Sequence, residues 1–205
     1  MKRKIIFKNI VLLVMVFVIV LIFIFQSNKD KRSPVVVLPA PPTTESLSES
    51  EFGTGYPKTI IIPSVEVRAR VENVGVTESG NMDVPEDYDD VGWFRHGARP
   101  GSPGSAVIAG HLDTGRGQPA VFYNLSGIKI GDEVFIEDDT GEVLRFVVSG
   151  YRLVDYENPP DDLLREIFSA EGERSRLVLI TCDGDWVPEE KTYTSRFIVF
   201  ADLVV

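Results

Sequence analysis

The sequence has only one cysteine, Cys182, and two histidines, His96 and His111, among its 205 residues. One cysteine cannot close an intrachain disulfide, so this is not a domain held together by a disulfide framework. Basic residues are scarce beyond the N-terminus, because after residue 32 there are 14 Lys or Arg against 30 Asp or Glu. An acidic body without a basic stripe repels phosphate backbones, and nucleic acid is therefore not an expected partner.

The N-terminus, by contrast, is basic and then strongly apolar. The four basic residues Lys2, Arg3, Lys4 and Lys8 lie at its start, and the apolar run covers residues 5–25. As a helix this run would rise about 31 Å, close to the roughly 30 Å hydrocarbon thickness of a bilayer. A cleaved signal peptide is the alternative, but its apolar core would be shorter. We predict a single uncleaved anchor over residues 1–26 in the cell membrane, with the N-terminus cytoplasmic and the rest extracellular.

The remaining chain divides into a linker and one domain. Residues 27–56 are rich in Ser, Pro, Thr and Glu without helical periodicity, which indicates an extended linker. Residues 57–205 contain short apolar or alternating runs separated by Gly- and Pro-rich turns, which favours an all-β domain closed into a barrel or folded into a sandwich. The predicted strands include 105–109, 133–136, 143–148, 177–181 and 196–203, and the predicted short helices are 121–125 and 161–168.

Three side chains suited to acyl transfer stand at the ends of predicted strands. Cys182 follows the apolar run LVLIT and precedes DGDW, and His111 follows SAVIAG in the same way. A thiol needs a basic or cationic neighbour to act as a nucleophile at neutral pH. His111 is better placed for this than His96, which lies in a segment dense in Gly and Pro. Arg196 opens the last apolar run, and its permanent charge suits an oxyanion.

The joint pattern of GHLDTG, then LITC, then an Arg that opens the last strand resembles the sortase family of cysteine transpeptidases. The resemblance runs from about Pro57 to Val205, and the stretch VGWFRHGARPGSPGSAVIAGH is most similar to classes E and F. It implies a closed eight-stranded β-barrel with one or two short helices. It also implies a partner, namely a secreted protein that carries an LPXTG-like sorting signal.

The resemblance implies a role for each of these side chains. Cys182 would form a thioester with the sorting signal, His111 would exchange protons with the leaving and incoming amines, and Arg196 would hold the substrate or the oxyanion. The amine acceptor would be a cell-wall precursor or a pilin lysine. Thr181 matches the Thr beside the family's nucleophile and is a secondary candidate. Asp113 is another, since it could orient the imidazole from two residues away. We expect no cofactor and no metal, because the acidic run PEDYDD lacks EF-hand spacing.

Two other functions fit the same residues. A Cys/His peptidase that hydrolyses wall or surface peptides would use the same pair, although a papain-like enzyme places its cysteine before its histidine and here the order is reversed. A non-catalytic anchored β-domain that binds a partner would instead bury Cys182 as an inert thiol. The reactivity of the thiol in the folded protein separates the enzymes from the binding module.

Overall fold

The computed structural model describes residues 55–115, 117–169 and 172–204. The predicted anchor, residues 1–26, and all but the last two residues of the predicted linker lie outside these ranges. Within the described ranges, no helix has the length and apolar character needed to cross a membrane.

The described residues contain eight strands that close into a barrel. This is the architecture that the resemblance implied, whereas the strand pattern alone left barrel and sandwich open. Around the barrel the order is β1-β2-β3-β4-β7-β8-β6-β5. The strands are β1 (Pro57–Ile62), β2 (Val67–Val74), β3 (Val91–Phe94), β4 (Gly104–Gly110), β5 (Glu133–Asp138), β6 (Val143–Asp155), β7 (Ser175–Val187) and β8 (Thr192–Leu203).

Helical structure in the described chain is limited to three short elements. The helix α1 (Asp161–Phe168) has the bounds predicted for the second helix. The helix predicted over residues 121–125 is wrong, because this stretch is a turn that leads into the 3₁₀ helix Leu125–Gly127. Its buried residues, Phe122 and Leu125, belong to the barrel core rather than to one helical face. The third element is the 3₁₀ helix Pro63–Val65.

Alternation along the strands divides apolar side chains between two cores. On β7, Leu177 and Leu179 belong to the large core inside the barrel, whereas Val178 belongs to a smaller core that includes Leu163 and Ile167 of α1. Successive side chains of a strand point to opposite faces, so the residues between the inward ones must face outward. The outer face of β4, β7 and β8 is therefore apolar where α1 covers it.

The connection between β2 and β3 is long because these two neighbouring strands are parallel. A parallel pair needs a crossover of a dozen or more residues, and here the crossover is residues 75–90, hereafter the β2–β3 loop. The sequence pattern predicts no strand at Val91–Phe94, although this segment pairs with β2 on one side and β4 on the other. Four residues, one of them Gly, give too short a pattern to be recognised as a strand.

The last two strands are longer than predicted. The strand that contains Cys182 continues to Val187 instead of ending in a loop, and β8 begins at Thr192 rather than at Arg196. A bulge after Asp183 interrupts the pairing of the two strands, which resumes with Trp186 opposite Tyr193. Their rings pack edge to face at 5.2 Å, and such an aromatic pair stabilises a hairpin beyond the barrel core.

Candidate active site

The register of three neighbouring strands brings Cys182, His111 and Arg196 together. Cys182 on β7 is directly opposite Arg196 on β8. Strands β4 and β7 are parallel and paired up to Ala109 and Ile180, and His111 and Cys182 each follow two residues later. Neighbouring strands lie roughly 5 Å apart. The three predicted residues thus meet at one place, with Cys182 between the other two.

The same register places all three side chains on the outer face of the barrel. Ile180 and Ile198, two residues away from Cys182 and Arg196, pack outward beneath α1. By alternation, Cys182 and Arg196 face the same way. A groove of about 440 Å³ on this face includes all three side chains among its lining residues. Its apolar walls come from α1, from β6 and from the β2–β3 loop, so the groove suits an extended peptide with apolar side chains.

Cys182 is partly buried in this groove, and opposing charges flank its sulfur. Burial raises the pKa of the Cys182 thiol, the positive charge of Arg196 lowers it, and the negative charge of Asp113 raises it. The net pKa is above that of a free thiol. The thiol is therefore protonated at neutral pH, and nucleophilic attack requires a base that accepts its proton.

Arg196 is held in place by its own hairpin and by an aromatic ring. Its Nη1 donates to the carbonyls of Tyr193 at 3.1 Å and Ser195 at 2.9 Å, and Nη2 donates to Thr192 Oγ1 at 2.8 Å. The guanidinium carbon lies 4.1 Å from the centroid of the Tyr156 ring. These contacts fix the plane of the guanidinium beside the sulfur, as an oxyanion-binding group requires.

His111 is held by the β2–β3 loop. Its Nε2 lies 2.9 Å from the Pro85 carbonyl oxygen, and its ring centroid lies 4.8 Å from that of Tyr88. His96, the other histidine, is exposed and contacts the ring of Phe94. It does not line the groove. Of the two histidines, His111 alone lines the groove, and its catalytic role stays a prediction.

Comparison with protein-family models matches residues 60–204 to the Sortase domain. The chain belongs to the sortase family. A comparison with curated proteins gives no match. Solved structures give several, and the barrel is similar to that of sortase C-1 from Actinomyces oris, at 25% identity and a TM-score of 0.55 over 72% of this chain and 73% of that one.

Two sortases of class A have the same fold. Sortase A from Listeria monocytogenes is 20% identical with a TM-score of 0.53, over 74% of this chain and 88% of that one. The lid mutant of sortase A from Corynebacterium diphtheriae is 23% identical with a TM-score of 0.54, over 72% and 69%. At these identities the structural likeness establishes the fold alone.

The two secondary candidates of this sortase have clear structural contacts. Thr181 is buried, and its hydroxyl donates to the Gly110 carbonyl at 2.9 Å, which ties β7 to the end of β4. Asp113 accepts hydrogen bonds from the Tyr193 hydroxyl at 2.5 Å and from the Gly115 amide at 2.7 Å. Asp113 thus links the loop after His111 to β8, while Nε2 of His111 bonds to the Pro85 carbonyl. The catalytic roles of Thr181 and Asp113 stay predictions.

Four further residues shape this sortase site and were not predicted from the sequence: Pro85, Tyr88, Tyr156 and Tyr193. Pro85 contributes a backbone carbonyl, which no side-chain pattern reveals. The tyrosines approach the site through tertiary contacts, from the β2–β3 loop, the end of β6 and the β7–β8 hairpin. Tyr193 carried no sequence signal either, because it lies on the part of the β7–β8 hairpin that precedes the apolar run starting at Arg196.

Proposed function

We propose that this sortase is a membrane-anchored cysteine transpeptidase that cleaves an LPXTG-like sorting signal and transfers the protein to an amine. The observation that supports this most is the meeting of a thiol, an imidazole and a guanidinium in one groove on the outer face of β4, β7 and β8. The acceptor would be an amine of the cell wall or of a pilin. The proposal places residues 5–25 in the membrane and the barrel outside the cell.

Each of the three side chains has a defined role in the proposed reaction. His111 accepts the proton of the Cys182 thiol, and the sulfur attacks the scissile carbonyl carbon while the Arg196 guanidinium stabilises the oxyanion. The carbon–nitrogen bond then breaks, and the imidazolium protonates the leaving amine. A thioester remains on Cys182. The acceptor amine attacks this thioester, His111 takes the amine's proton, and the Cys182 thiolate leaves and recovers a proton from the imidazolium.

Transfer and hydrolysis differ only in the acceptor. The apolar walls of the groove limit water near the thioester, which favours attack by a bound amine. A Cys/His peptidase would release the free acid whether or not an amine is present. Assignment to class E or F stays a prediction. The LPXTG-like sequence of the sorting signal and the identity of the amine acceptor are predictions as well.

The decisive experiment uses the full chain with a fluorogenic library of LPXTG-like peptides and an amine acceptor. We expect cleavage with an aminolysed product, no cleavage by Cys182→Ala, and a loss of roughly 10²-fold or more in His111→Gln. The matched control is His96→Gln, which should cleave like wild type because His96 lies outside the groove. Mass spectrometry of trapped protein should find the acyl group on Cys182.

Other results would point to the alternative functions. Hydrolysed product alone, at saturating amine, would indicate a peptidase. A thiol that resists alkylation in the folded protein, together with no cleavage of any peptide, would indicate a binding module. Cleavage by Cys182→Ala at the wild-type rate would contradict the mechanism itself.

A further inference from the structure

The β2–β3 loop contacts His111 through two different groups. The carbonyl oxygen of Pro85 lies 2.9 Å from Nε2, and the ring of Tyr88 packs against the imidazole at a centroid distance of 4.8 Å and a tilt of 53°. Pro85 is buried, whereas Tyr88 is 43% exposed. The imidazole therefore has a fixed hydrogen-bond partner at one nitrogen and an aromatic neighbour that limits its rotation.

A carbonyl oxygen only accepts hydrogen bonds, so the bonded nitrogen of His111 must carry the proton. This holds for the imidazolium and for the neutral ring. In the neutral ring the lone pair is then on Nδ1, because the two nitrogens of a neutral imidazole divide the donor and acceptor roles. Only Nδ1 can then accept a proton without breaking the bond to Pro85.

We propose that Pro85 and Tyr88 are positioning residues that hold His111 as the Nε2–H tautomer, so that Nδ1 is the nitrogen that exchanges protons. This inference rests on the proposed function for its catalytic meaning. Neither residue lines the groove, so each acts through His111. Pro85 fixes the proton on Nε2, and Tyr88 keeps the ring in the orientation in which that hydrogen bond is made.

The loop that carries both residues is tied to the same turn as His111. The Phe122 amide donates to the His111 carbonyl at 2.9 Å, and the adjacent Val121 amide donates to the Tyr88 carbonyl at 2.9 Å. Two consecutive amides therefore set the position of Tyr88 relative to His111. At the end of the loop, Asp90 forms an ion pair with Arg70 of β2. The C-terminal part of the loop is therefore anchored at two points, as a positioning element requires.

The tautomer can be measured without substrate by NMR of the full chain labelled with ¹⁵N-histidine, at a pH where the imidazole is neutral. His96→Gln assigns the two sets of signals. We expect Nε2 of His111 to be protonated and Nδ1 to be unprotonated, with the Nε2–H proton exchanging with water more slowly than that of His96. An Nδ1–H tautomer at His111, or Nε2–H exchange as fast as in His96, would overturn the proposal.

The role of Tyr88 is tested by substitutions that keep or remove the ring. Tyr88→Phe should retain the single tautomer, because it keeps the ring. Tyr88→Ala should give a mixture of tautomers and a kcat lowered roughly tenfold to hundredfold with KM largely retained. Tyr123→Ala is the control, because Tyr123 is similarly exposed, at 49%, and does not line the groove. An unmixed tautomer and a wild-type kcat in Tyr88→Ala would overturn the role of Tyr88.

The two measurements separate this inference from the proposed function. A protein with the expected tautomer that cleaves no peptide would contradict the proposed function alone. A protein that transfers peptides with His111 in the Nδ1–H form would contradict the positioning role alone.

Discussion

At the scale of single residues, the reactivity of Cys182 depends on two opposite charges. Burial is the largest cause that raises the pKa of the thiol, Arg196 lowers this pKa, and Asp113 raises it further. The position of Asp113 is fixed by the Tyr193 hydroxyl, and the same contact raises the pKa of Tyr193 to about 12. The carboxylate is thus held near the sulfur, where its charge disfavours the thiolate.

The substitution Asp113→Asn should therefore make the thiol more reactive at neutral pH. It removes the negative charge that raises the Cys182 pKa, so the midpoint of thiolate formation should move to lower pH. The measurement is the rate of alkylation by iodoacetamide as a function of pH. Asp83→Asn is the control, because Asp83 lines the same groove but its charge does not contribute to the raised pKa of the Cys182 thiol. A midpoint that stays the same or rises in Asp113→Asn would contradict the assignment.

Substitutions at Arg196 can separate the effect of its positive charge from the effect of its planar guanidinium group. Arg196→Lys keeps the positive charge but loses the planar fork that contacts Thr192 and Tyr193. We expect Arg196→Lys to leave the alkylation midpoint of Cys182 near wild type while kcat/KM falls roughly 10²- to 10³-fold. Arg196→Gln should lower kcat/KM similarly and also raise the pKa of the thiol. If Arg196→Lys had wild-type kcat/KM, charge alone would account for the role of this residue.

At the scale of elements, the site is a product of strand register. The sequence predicts Cys182, His111 and Arg196 as site residues because each follows or begins an apolar run. Their adjacency could not be read from the sequence, since it depends on β4 pairing in parallel with β7, whose residues come about 70 positions later. An apolar pattern reveals only those residues of a strand that pack into a core. The β7–β8 hairpin extends beyond the core, and the pattern therefore did not predict it.

Gly110, which ends β4 directly before His111, should not tolerate a side chain. A Cβ atom at Gly110 would lie 2.5 Å from the Phe122 ring, which is fully buried and cannot move aside freely. Gly110→Ala should lower the free energy of unfolding by about 1–3 kcal/mol and reduce kcat by displacing His111. Urea unfolding and steady-state kinetics measure the two effects.

Gly150→Ala provides the control for this steric argument. Gly150 lies on β6 beside a bulge, and a Cβ atom there would meet nothing within 4 Å. Its stability and activity should stay near wild type. Equal losses in the two variants would mean that the effect of Gly110→Ala does not come from the contact with Phe122.

At the scale of the whole molecule, the barrel is closed where β1 pairs with β5. Asp138 ends β5 at this closure and is only 2% exposed. Its carboxylate accepts hydrogen bonds from the amides of Gly55, Thr140 and Glu142 and from the Thr140 hydroxyl. Buried carboxylates with several such donors stabilise the folded state in their ionised form.

The stability of the barrel should accordingly depend on the ionisation of Asp138. Burial acts to raise the pKa of this carboxyl, but the hydrogen bonds from Thr140, Glu142 and Gly55 outweigh it, and the net pKa is lowered. A lowered pKa in the folded state means that the ionised group stabilises the fold above its unfolded pKa of about 4. This contribution is lost as the pH falls through the lower pKa of the folded state.

Asp138→Asn should remove this contribution at neutral pH and have less effect in acid. We expect the free energy of unfolding at pH 7 to fall by about 1–3 kcal/mol, and the difference from wild type to shrink as the pH drops below about 4. Urea unfolding at several pH values measures it, with the exposed neighbour Glu142→Gln as control. Because β8 and β6 separate β7 from this closure in the strand order, kcat should be retained wherever the variant is folded. A difference between Asp138→Asn and wild type that stays constant from pH 7 to pH 3 would show that its effect is not ionisation.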